Sequence, residues 1–333
     1  MKKYNVAIVG ATGLVGRAFI EILAERNFPI EHLRLLARER SSGRTLRFAD
    51  QELKVETLTP NSFKGMDIAL FSAGAHVSLE YAPIAAECGV TVIDNSSAFR
   101  MHEKVPLVVP EVNPHALNSP SKIIANPNCS TIEMVVALKP LHDAACIKRV
   151  VVSTYQAVSG KGSDAIQTLL HDSRAYLKNR TKCKSAQIAF NLCPQIDTFL
   201  TDGSTKEEIK MVLETRKILE KPVLPISATC VRVPVVNSHG CSLNVEFEHA
   251  LPVDEAKELL SKAAGVVVMD NPQKETYPTP LHVSGKDQVF VGRIRRDHSV
   301  ENGLNLWIVA DNLRKGAALN AVQIAERLIL LNE

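Results

Sequence analysis

The opening of the chain constrains its fold more than any other feature. Residues 4–10, YNVAIVG, are mostly apolar and predict a buried strand. Residues 14–27, LVGRAFIEILAERN, place apolar side chains on one face of a helix. Glycines punctuate the junction between the two segments. A buried strand that passes through a tight turn into a helix is typical of proteins with a parallel sheet and crossover helices.

The same alternation continues through the first third of the chain. It is carried by the strand-like runs HLRLLA, MDIALFSA and GVTVIDNS and by the helical run SLEYAPIAAEC. After residue 146, longer segments rich in Val, Ile and Thr predict a large sheet, and two helical patterns interrupt them. The final segment, KGAALNAVQIAERLILL, predicts an amphipathic helix that returns to the first domain. We therefore predict an α/β domain at residues 1–127 with the C-terminal helix 315–333, and an α+β domain at 128–314.

Composition excludes several classes of protein. A length of 333 residues favours two domains, and a net charge of +3 favours neither nucleic acid nor an acidic membrane as partner. The apolar stretch at the N-terminus is too short for a signal peptide, and no run of 18 apolar residues predicts a membrane span. The seven cysteines are odd in number and form no C-x-x-C pair. We expect reduced thiols in the cytoplasm and no metal site.

The glycine-rich turn predicts a dinucleotide site. Gly10, Gly13 and Gly16 follow a strand and open a helix, with G-x-x-G-x-x-G spacing instead of the commoner G-x-G-x-x-G. Glycine lets phosphate approach the backbone N–H groups, and the helix N-terminus contributes a positive dipole end. The alternative is a plain strand–helix turn. We expect cofactor contacts from the residues of this turn, which are Gly10, Thr12, Gly13, Leu14, Val15 and Gly16.

The segment after the second strand favours NADP over NAD. An NAD site usually has an acidic residue here for the ribose diol. In ARERSSGR, however, the single Glu39 is surrounded by Arg38, Arg40, Ser41 and Ser42. Guanidinium and hydroxyl groups suit a 2′-phosphate, so we expect Arg40 and Ser41 to contact NADP. The alternative is a solvated charged loop.

One cysteine has the setting of a nucleophile. Cys129 lies where the extended run KIIANPN changes to a helical pattern. A helix N-terminus stabilises a thiolate, and its N–H groups can hold an oxyanion formed by attack on a carbonyl. The alternative is a buried structural cysteine, which is our interpretation of the other six.

A nucleophilic thiol needs an acid/base partner. Among ten histidines, His239 lies in RVPVVNSHGCSLNV, between two strand-like segments. A loop histidine held by two strands can reach an active site in a fixed orientation. The alternative for this residue is a surface histidine or one satisfied in the core.

Seven motifs then occur in an order that resembles one family. They are VAIVGATGLVG, IANPNCST, STYQAVSGKG, FNLCPQID, KEEIKMVLETRKIL, CVRVPVVNSHG and YPTP. Together they resemble aspartate-β-semialdehyde dehydrogenase of the bacterial type, from residue 4 to about residue 330. The resemblance implies a Rossmann-like, doubly wound NADP-binding domain and an α+β catalytic and dimerisation domain. It also implies reduction of L-4-aspartyl phosphate by NADPH to aspartate semialdehyde, on the route to lysine, threonine, methionine and diaminopimelate.

The resemblance assigns roles to individual residues. It implies that Cys129 forms an acyl-thioester, that His239 is the acid/base and that Gln156 orients the substrate. It implies that Arg232 binds the substrate carboxylate. Further implied substrate contacts are Arg100 and Lys210 for the phosphate, Glu207 for the amino group, and Asn128. Further implied cofactor contacts are Ser159, Gly160 and Asn312. For the charged residues the alternative is a solvated surface charge.

Two other functions stay open at this stage. N-acetyl-γ-glutamyl-phosphate reductase uses the same thioester chemistry on an N-acylated substrate, but Glu207 suits a free amino group. A non-catalytic paralogue is the second alternative, and the joint presence of Cys129, Gln156, Arg232 and His239 argues against it. We expect small-molecule substrates and a homodimer, with a tetramer left open.

The sequence departs from the family pattern in two places. Gly240 and Cys241 follow the histidine, where the resemblance favours more polar residues such as Ser-Glu. The segment around Cys183 and Cys193 is also unusually rich in cysteine, which leaves room for a second thiol near the site.

Overall fold

The chain folds into two units, Met1–Asn128 with Ala317–Glu333, and Cys129–Gly316. The structure is a computed structural model and describes residues 2–179 and 187–331. Cys183 and most of the polar segment around it lie outside the described residues.

The first unit contains a seven-stranded sheet. Its strands are β1 (Tyr4–Val9), β2 (Ile30–Ala37), β3 (Thr45–Phe48), β4 (Gln51–Thr57), β5 (Ile68–Phe71), β6 (Thr91–Asp94) and β7 (Ile123–Ala125). Its helices are α1 (Leu14–Glu25), α2 (Ala75–Glu87) and α8 (Leu319–Leu331). The strand order is β3-β4-β2-β1-β5-β6-β7, and only the β3–β4 pair among these neighbours is antiparallel. The order reverses at β1, and such a switch point is where open α/β sheets bind ligands.

Both faces of this sheet are buried, which explains the continuous apolar run of β1. Val6 and Ile8 belong to a core that also contains residues of α1 and α8. Ala7 and Val9 point to the opposite face and pack with residues of α2. Alternate residues of one strand therefore serve two cores, as a doubly wound sheet requires. The fold class predicted from the sequence is confirmed, and the C-terminal helix packs within the first unit.

The β3–β4 hairpin at the edge of the sheet was not among the predicted strands. Its residues alternate between charged and apolar side chains, and most of them are exposed. An edge strand needs only one half-buried face, so it lacks the dense apolar run that marked the central strands.

The second unit contains a six-stranded, mixed sheet. Its strands are β8 (Ile147–Gln156), β9 (Ile226–Arg232), β10 (His239–Phe247), β11 (Val266–Val268), β12 (Val289–Arg296) and β13 (Gly303–Ala310), in the order β11-β12-β13-β10-β8-β9. Its helices are α3 (Cys129–Ala145), α4 (Ser163–Asn179), α5 (Lys206–Ile218), α6 (Val253–Lys262) and α7 (Pro280–Val283). A π-helical turn, Arg314–Ala318, precedes α8.

Only one face of this second sheet is fully buried. Helix α3 packs against β10 and β13, and α5 and α6 pack against the two ends of the sheet. Along β8, Val150, Val152 and Thr154 are buried, whereas Val151, Ser153 and Tyr155 are partly or fully exposed. The alternation predicted from the sequence thus corresponds to one covered and one open face. Over residues 2–179 and 187–331, no helix is both long and apolar enough to cross a membrane.

The close approach of α1 to β1 generates a testable prediction. A Cβ on Gly16 would lie 2.2 Å from the Gly10 carbonyl oxygen, whereas one on Gly13 would lie 3.4 Å from it. We expect Gly16→Ala to lower the free energy of unfolding by about 1–3 kcal/mol, because the helix must move away from the turn. Gly13→Ala is the matched control and should lower the free energy of unfolding by less than about 1 kcal/mol. Urea unfolding of both variants measures the difference, and equal losses would contradict the packing argument.

Candidate active site

A cavity of about 270 Å³ lies in the first unit at the switch point of the sheet. Its lining residues are Val9, Gly10, Thr12, Gly13, Ala37, Arg38, Arg40, Ser41, Leu58, Ser72, Ala73 and Val77. Gly10 has a φ of +91°, and a Cβ there would lie 2.9 Å from the Ala73 nitrogen. Gly13 is the N-cap of α1, so no side chain covers the first N–H groups of that helix. These features fit a bound dinucleotide, because phosphate can approach the bare helix end.

Most residues predicted for the cofactor in this unit line the cavity. Gly10, Thr12, Gly13, Arg40 and Ser41 do so, together with Arg38.

The other predicted residues of the turn do not line this cavity. Leu14 and Val15 are half-buried on α1, and Gly16 is buried against the turn. The Ser42 hydroxyl donates to the Val55 carbonyl at 3.4 Å instead of facing the cavity. Ser72 and Ala73 line it but were missed. They lie at the C-terminal end of the strand-like run MDIALFSA, and that position was the available signal.

In the second unit, Cys129 is the first residue of α3 and is partly exposed. The turn that follows β13 approaches it closely, since a Cβ on Gly316 would lie 3.0 Å from the Cys129 Cβ. A thiol at this position lies beside the positive end of the helix dipole, which favours the thiolate. The sequence prediction of a helix start at this cysteine matches the structure.

His239 and Arg232 are joined through the backbone of Ala157. The Ala157 N–H donates to His239 Nδ1 at 3.0 Å, and its carbonyl accepts from Arg232 Nη1 at 2.6 Å. Gly160 provides the space for both side chains, because a Cβ there would lie 3.1 Å from Arg232 Nη1 and 3.3 Å from His239 Nε2. The structure therefore brings together two residues predicted from opposite ends of the RVPVVNSH segment.

Burial and charge keep the imidazole of His239 neutral. The side chain is fully buried, and burial together with the nearby Arg232 guanidinium lowers the pKa of His239 to about 3. Since Nδ1 accepts a hydrogen bond, the neutral ring carries its proton on Nε2. Nε2 has no hydrogen-bond partner within the part of the chain that the structure describes. His239 thus presents an N–H donor for which the described residues provide no acceptor.

One prediction about His239 was wrong. It is not a loop residue but the first residue of β10, paired with Ala310 of β13. The loop that precedes it ends at Ser238, which has a φ of +71° and whose N–H donates to Asn312 Oδ1 at 2.9 Å. The turn residues Asn237 and Ser238 resembled a longer loop in the sequence, so the start of the strand was not apparent.

Gln156, Glu207 and Lys210 form a connected chain of contacts. Gln156 Nε2 donates to Glu207 Oε1 at 3.2 Å, and Lys210 Nζ lies 3.2 Å from Glu207 Oε2. Lys210 also pairs with Asp197 at 2.9 Å. These two carboxylates raise the pKa of Lys210 although burial, the largest single influence, lowers it. The resemblance implied separate roles, the amino group for Glu207 and the phosphate for Lys210, and in the structure the two side chains contact each other.

Arg100, Ser159 and Asn312 have hydrogen-bond partners within their own units. Arg100 is buried in the first unit and donates to the carbonyls of Asn126 at 2.9 Å and Asn95 at 2.7 Å. Asn128 is buried at the end of the same unit. In the second unit, Asn312 Nδ2 donates to the Ser159 hydroxyl at 2.9 Å, and both side chains are buried.

Two acidic residues near Cys129 were missed in the sequence. Glu133 is fully buried on α3, and neither carboxyl oxygen has a hydrogen-bond partner among residues 2–179 and 187–331. The signal was a single acidic residue in the apolar run STIEMVVAL. Asp311, after β13, accepts hydrogen bonds from four N–H groups. The donors are Asn237 Nδ2, Gly285 N, Leu313 N and Arg314 N.

The departure at Gly240 has a structural reason. A Cβ on Gly240 would lie 2.7 Å from the Trp307 ring on the neighbouring strand. Trp307 lies across this position and contacts Tyr155 in a tilted arrangement, with ring centroids 5.5 Å apart and an interplanar angle of 59°. Cys241 is buried on the other face of β10. A large aromatic side chain on β13 therefore takes the space that a polar residue after the histidine would use.

The six described cysteines are free thiols. Cys193 exchanges backbone hydrogen bonds with Arg232 at 3.0 and 2.8 Å, so a second thiol does lie beside a predicted site residue. Cys183 falls outside the described residues. Within residues 2–179 and 187–331, no group of three or more His, Cys, Asp or Glu side chains could hold a metal ion.

Family models match most of the chain. A model described as the NAD binding domain of semialdehyde dehydrogenase matches residues 5–119. A model described as the dimerisation domain of semialdehyde dehydrogenase matches residues 138–315. The first match contains the cavity, and the second contains His239, Arg232 and the Gln156–Glu207–Lys210 chain.

Individual proteins are similar to this chain over nearly its full length. An aspartate-semialdehyde dehydrogenase of Aquifex aeolicus is 57% identical, and the match covers 98% of each chain. A crystal structure titled aspartate semialdehyde dehydrogenase II complexed with ASA, from Vibrio cholerae, has a TM-score of 0.94 at 48% identity and covers 99% of each chain. A Candida albicans aspartate semialdehyde dehydrogenase with NADP has a TM-score of 0.78 at 26% identity, over 98% of each chain.

The buried, neutral histidine generates a prediction about acid stability. His239 has a pKa of about 3 in the folded state, whereas an unperturbed histidine titrates near 6.5. Between these values the unfolded chain binds the extra proton, so stability is present above pH ~6.5 and is lost as pH falls towards 3. In the wild type this proton uptake lowers the free energy of unfolding by up to about 1.4 kcal/mol per pH unit. We expect His239→Gln to remove this contribution to the pH dependence. Urea unfolding at pH 7, 6 and 5 tests this.

The exposed His171 provides the control for that measurement. His171→Gln should leave the pH dependence of wild-type stability unchanged. If the free energies of unfolding of His239→Gln and wild type fall in parallel on acidification, the neutral buried state of His239 is wrong.

Proposed function

We propose a mechanism for this chain from one premise: it belongs to the aspartate-semialdehyde dehydrogenase family. The activity is the reductive dephosphorylation of L-4-aspartyl phosphate to L-aspartate 4-semialdehyde, a step in the biosynthesis of lysine, threonine, methionine and diaminopimelate. The observation that carries the mechanism is the arrangement in one unit of a thiol at a helix start, Cys129, with the linked pair His239 and Arg232.

Cys129 is the nucleophile in this proposal. Its position at the first turn of α3 favours the thiolate, and Arg232 adds a positive charge near it. Burial lowers the pKa of Arg232, and the electrostatic influence of Cys129 opposes that shift. The thiolate attacks the acyl phosphate and expels phosphate, which leaves a thioester on Cys129. The backbone N–H groups that begin α3 are available to the oxyanion of the tetrahedral intermediate.

His239 acts through its Nε2 proton. The bound nicotinamide cofactor supplies the hydride that reduces the thioester. The Nε2–H of His239 donates to the oxygen that becomes negative as the carbonyl is attacked and as the hemithioacetal forms. The Ala157 N–H holds the ring in the tautomer that this donation requires. Because the pKa of His239 is low, this residue polarises the carbonyl as a neutral ring rather than as an imidazolium.

Substrate recognition is assigned to the polar groups around this pair. Arg232, held by the Ala157 carbonyl, binds the substrate carboxylate through its remaining N–H groups. Glu207 receives the free amino group, and Gln156, which contacts it, orients the substrate. Lys210 binds the phosphate. To do so, its ammonium group must leave Asp197 and Glu207 or contact them and the phosphate together. Arg100 and Asn128, of the first unit, remain predicted substrate contacts.

We further propose NADP as the preferred cofactor. Arg38, Arg40 and Ser41 line the cavity beyond the end of β2, where the 2′ position of the adenosine ribose binds in such folds. Guanidinium groups favour a 2′-phosphate over a diol. Ser159, Gly160 and Asn312 remain predicted contacts with the nicotinamide half.

The open face of the second sheet supports a homodimer. The rings of Tyr155 and Trp307 contact each other there, and Val151 and Val231 on the same face are only partly buried. A sheet face that carries aromatic and aliphatic side chains is suited to a second copy of the chain. The free thiols of the described cysteines support a reducing compartment such as the cytoplasm.

Cys129→Ala tests the nucleophile. We expect no phosphate-dependent NADP reduction with aspartate semialdehyde, because no thioester can form. Cys88→Ala, which changes an exposed cysteine, should retain most of the activity. Mass spectrometry after substrate addition should find an acyl adduct on the Cys129 peptide. An adduct on another cysteine would mean that the nucleophile has been misassigned.

Arg40→Ala tests the cofactor assignment. The wild type should have a higher kcat/KM with NADP than with NAD. Loss of a charge-assisted contact of about 1.5–3 kcal/mol should reduce the preference by roughly one to two decades. Arg47→Ala, a matched change of an exposed arginine on β3, should preserve it. Equal efficiency of the wild type with both cofactors would refute the assignment.

A further inference from the structure

Glu133 is the most unusual charged residue of the second unit. Its side chain is completely buried on α3, and both carboxyl oxygens lack hydrogen-bond partners among the described residues. An ionised carboxylate without partners is among the most costly groups to bury. A residue with this cost and no structural bond is a candidate for a functional role.

Its position relates it to the nucleophile. Glu133 follows Cys129 by four residues, so both lie on the same face of α3, one turn apart. Both also face Gly316, since a Cβ there would lie 3.0 Å from the Cys129 Cβ and 3.1 Å from Glu133 Oε1. The absence of a side chain at this glycine lets the turn pack directly against the two residues.

The charges around Glu133 oppose its ionisation. Burial and the Asp311 carboxylate raise the pKa of Glu133 well above its ordinary value. From β10, Cys241 faces it, and burial followed by the charge of Glu133 raises the pKa of that thiol. Lys315, buried on the same turn as Gly316, is a further charged residue of this region and makes interactions of its own.

We propose that Glu133 is a positioning residue that competes with Cys129 for a single negative charge. When Glu133 keeps its proton, the thiolate of Cys129 forms one helical turn away without like-charge repulsion. When Glu133 ionises, the same repulsion opposes the thiolate. Glu133 thereby tunes the fraction of reactive nucleophile, a role that rests on the proposed function of Cys129.

The test measures the thiolate directly and needs no turnover. The rate of alkylation of Cys129 by iodoacetamide is followed between pH 5.5 and 9.5 by mass spectrometry of its peptide, in wild type and in Glu133→Gln. Gln has the same shape without the charge. In wild type, part of the molecules carry the single charge on Glu133 instead of Cys129, and Glu133→Gln removes that alternative. We expect the midpoint of the alkylation curve in Glu133→Gln to lie about one pH unit lower, so that alkylation below both midpoints is about tenfold faster. Glu133→Met, which also removes the charge, should shift in the same direction if the Gln variant folds poorly.

Glu214→Gln is the matched control, because Glu214 is equally buried but lies on α5. Its alkylation curve should coincide with that of wild type. If the curves of Glu133→Gln and Glu133→Met also coincide with wild type, the inference is overturned while the proposed function stands. If Cys129→Ala retained activity, the proposed function would fail whatever the alkylation curves show.

Discussion

The peptide unit of Ala157 fixes the two side chains on which the proposed chemistry depends. Its N–H holds His239 in one tautomer, and its carbonyl holds the Arg232 guanidinium. Both bonds are to the backbone directly after β8, a strand that is paired on both sides. Burial is the main cause of the low pKa of His239, and the Arg232 cation held beside the ring lowers it further.

Much of the fold was predictable because its signals are local. The strand β1, the glycine turn and the helix that begins at Cys129 each depend on residues adjacent in sequence. The edge hairpin β3–β4 was missed because edge strands need little apolar surface. His239 was assigned to a loop because Asn237 and Ser238 have turn-like composition, whereas the pairing that starts β10 comes from a strand distant in sequence.

Less of the candidate site than of the fold could be predicted from the sequence. The identities of Gln156, Glu207 and Lys210 could be carried over from a family pattern, but their contacts with one another and with Asp197 require tertiary distances. Glu133 could not be assigned a role because one acidic residue in an apolar helix has no meaning until its neighbours are known. The reason for Gly240 could not be read from the sequence either, since the Trp307 ring that it accommodates lies on β13.

The return of α8 to the first unit has a consequence for synthesis on the ribosome. One core of that unit contains Val6 and Ile8 from the start of the chain and Leu319 and Val322 from its end. The second unit, Cys129–Gly316, is continuous and can fold as it emerges. At about 5–20 residues per second, its synthesis delays α8 by on the order of ten seconds or more. Until α8 has been made, the nascent nucleotide-binding sheet must therefore expose the apolar surface that α8 later covers, while α1 can already pack on the same face.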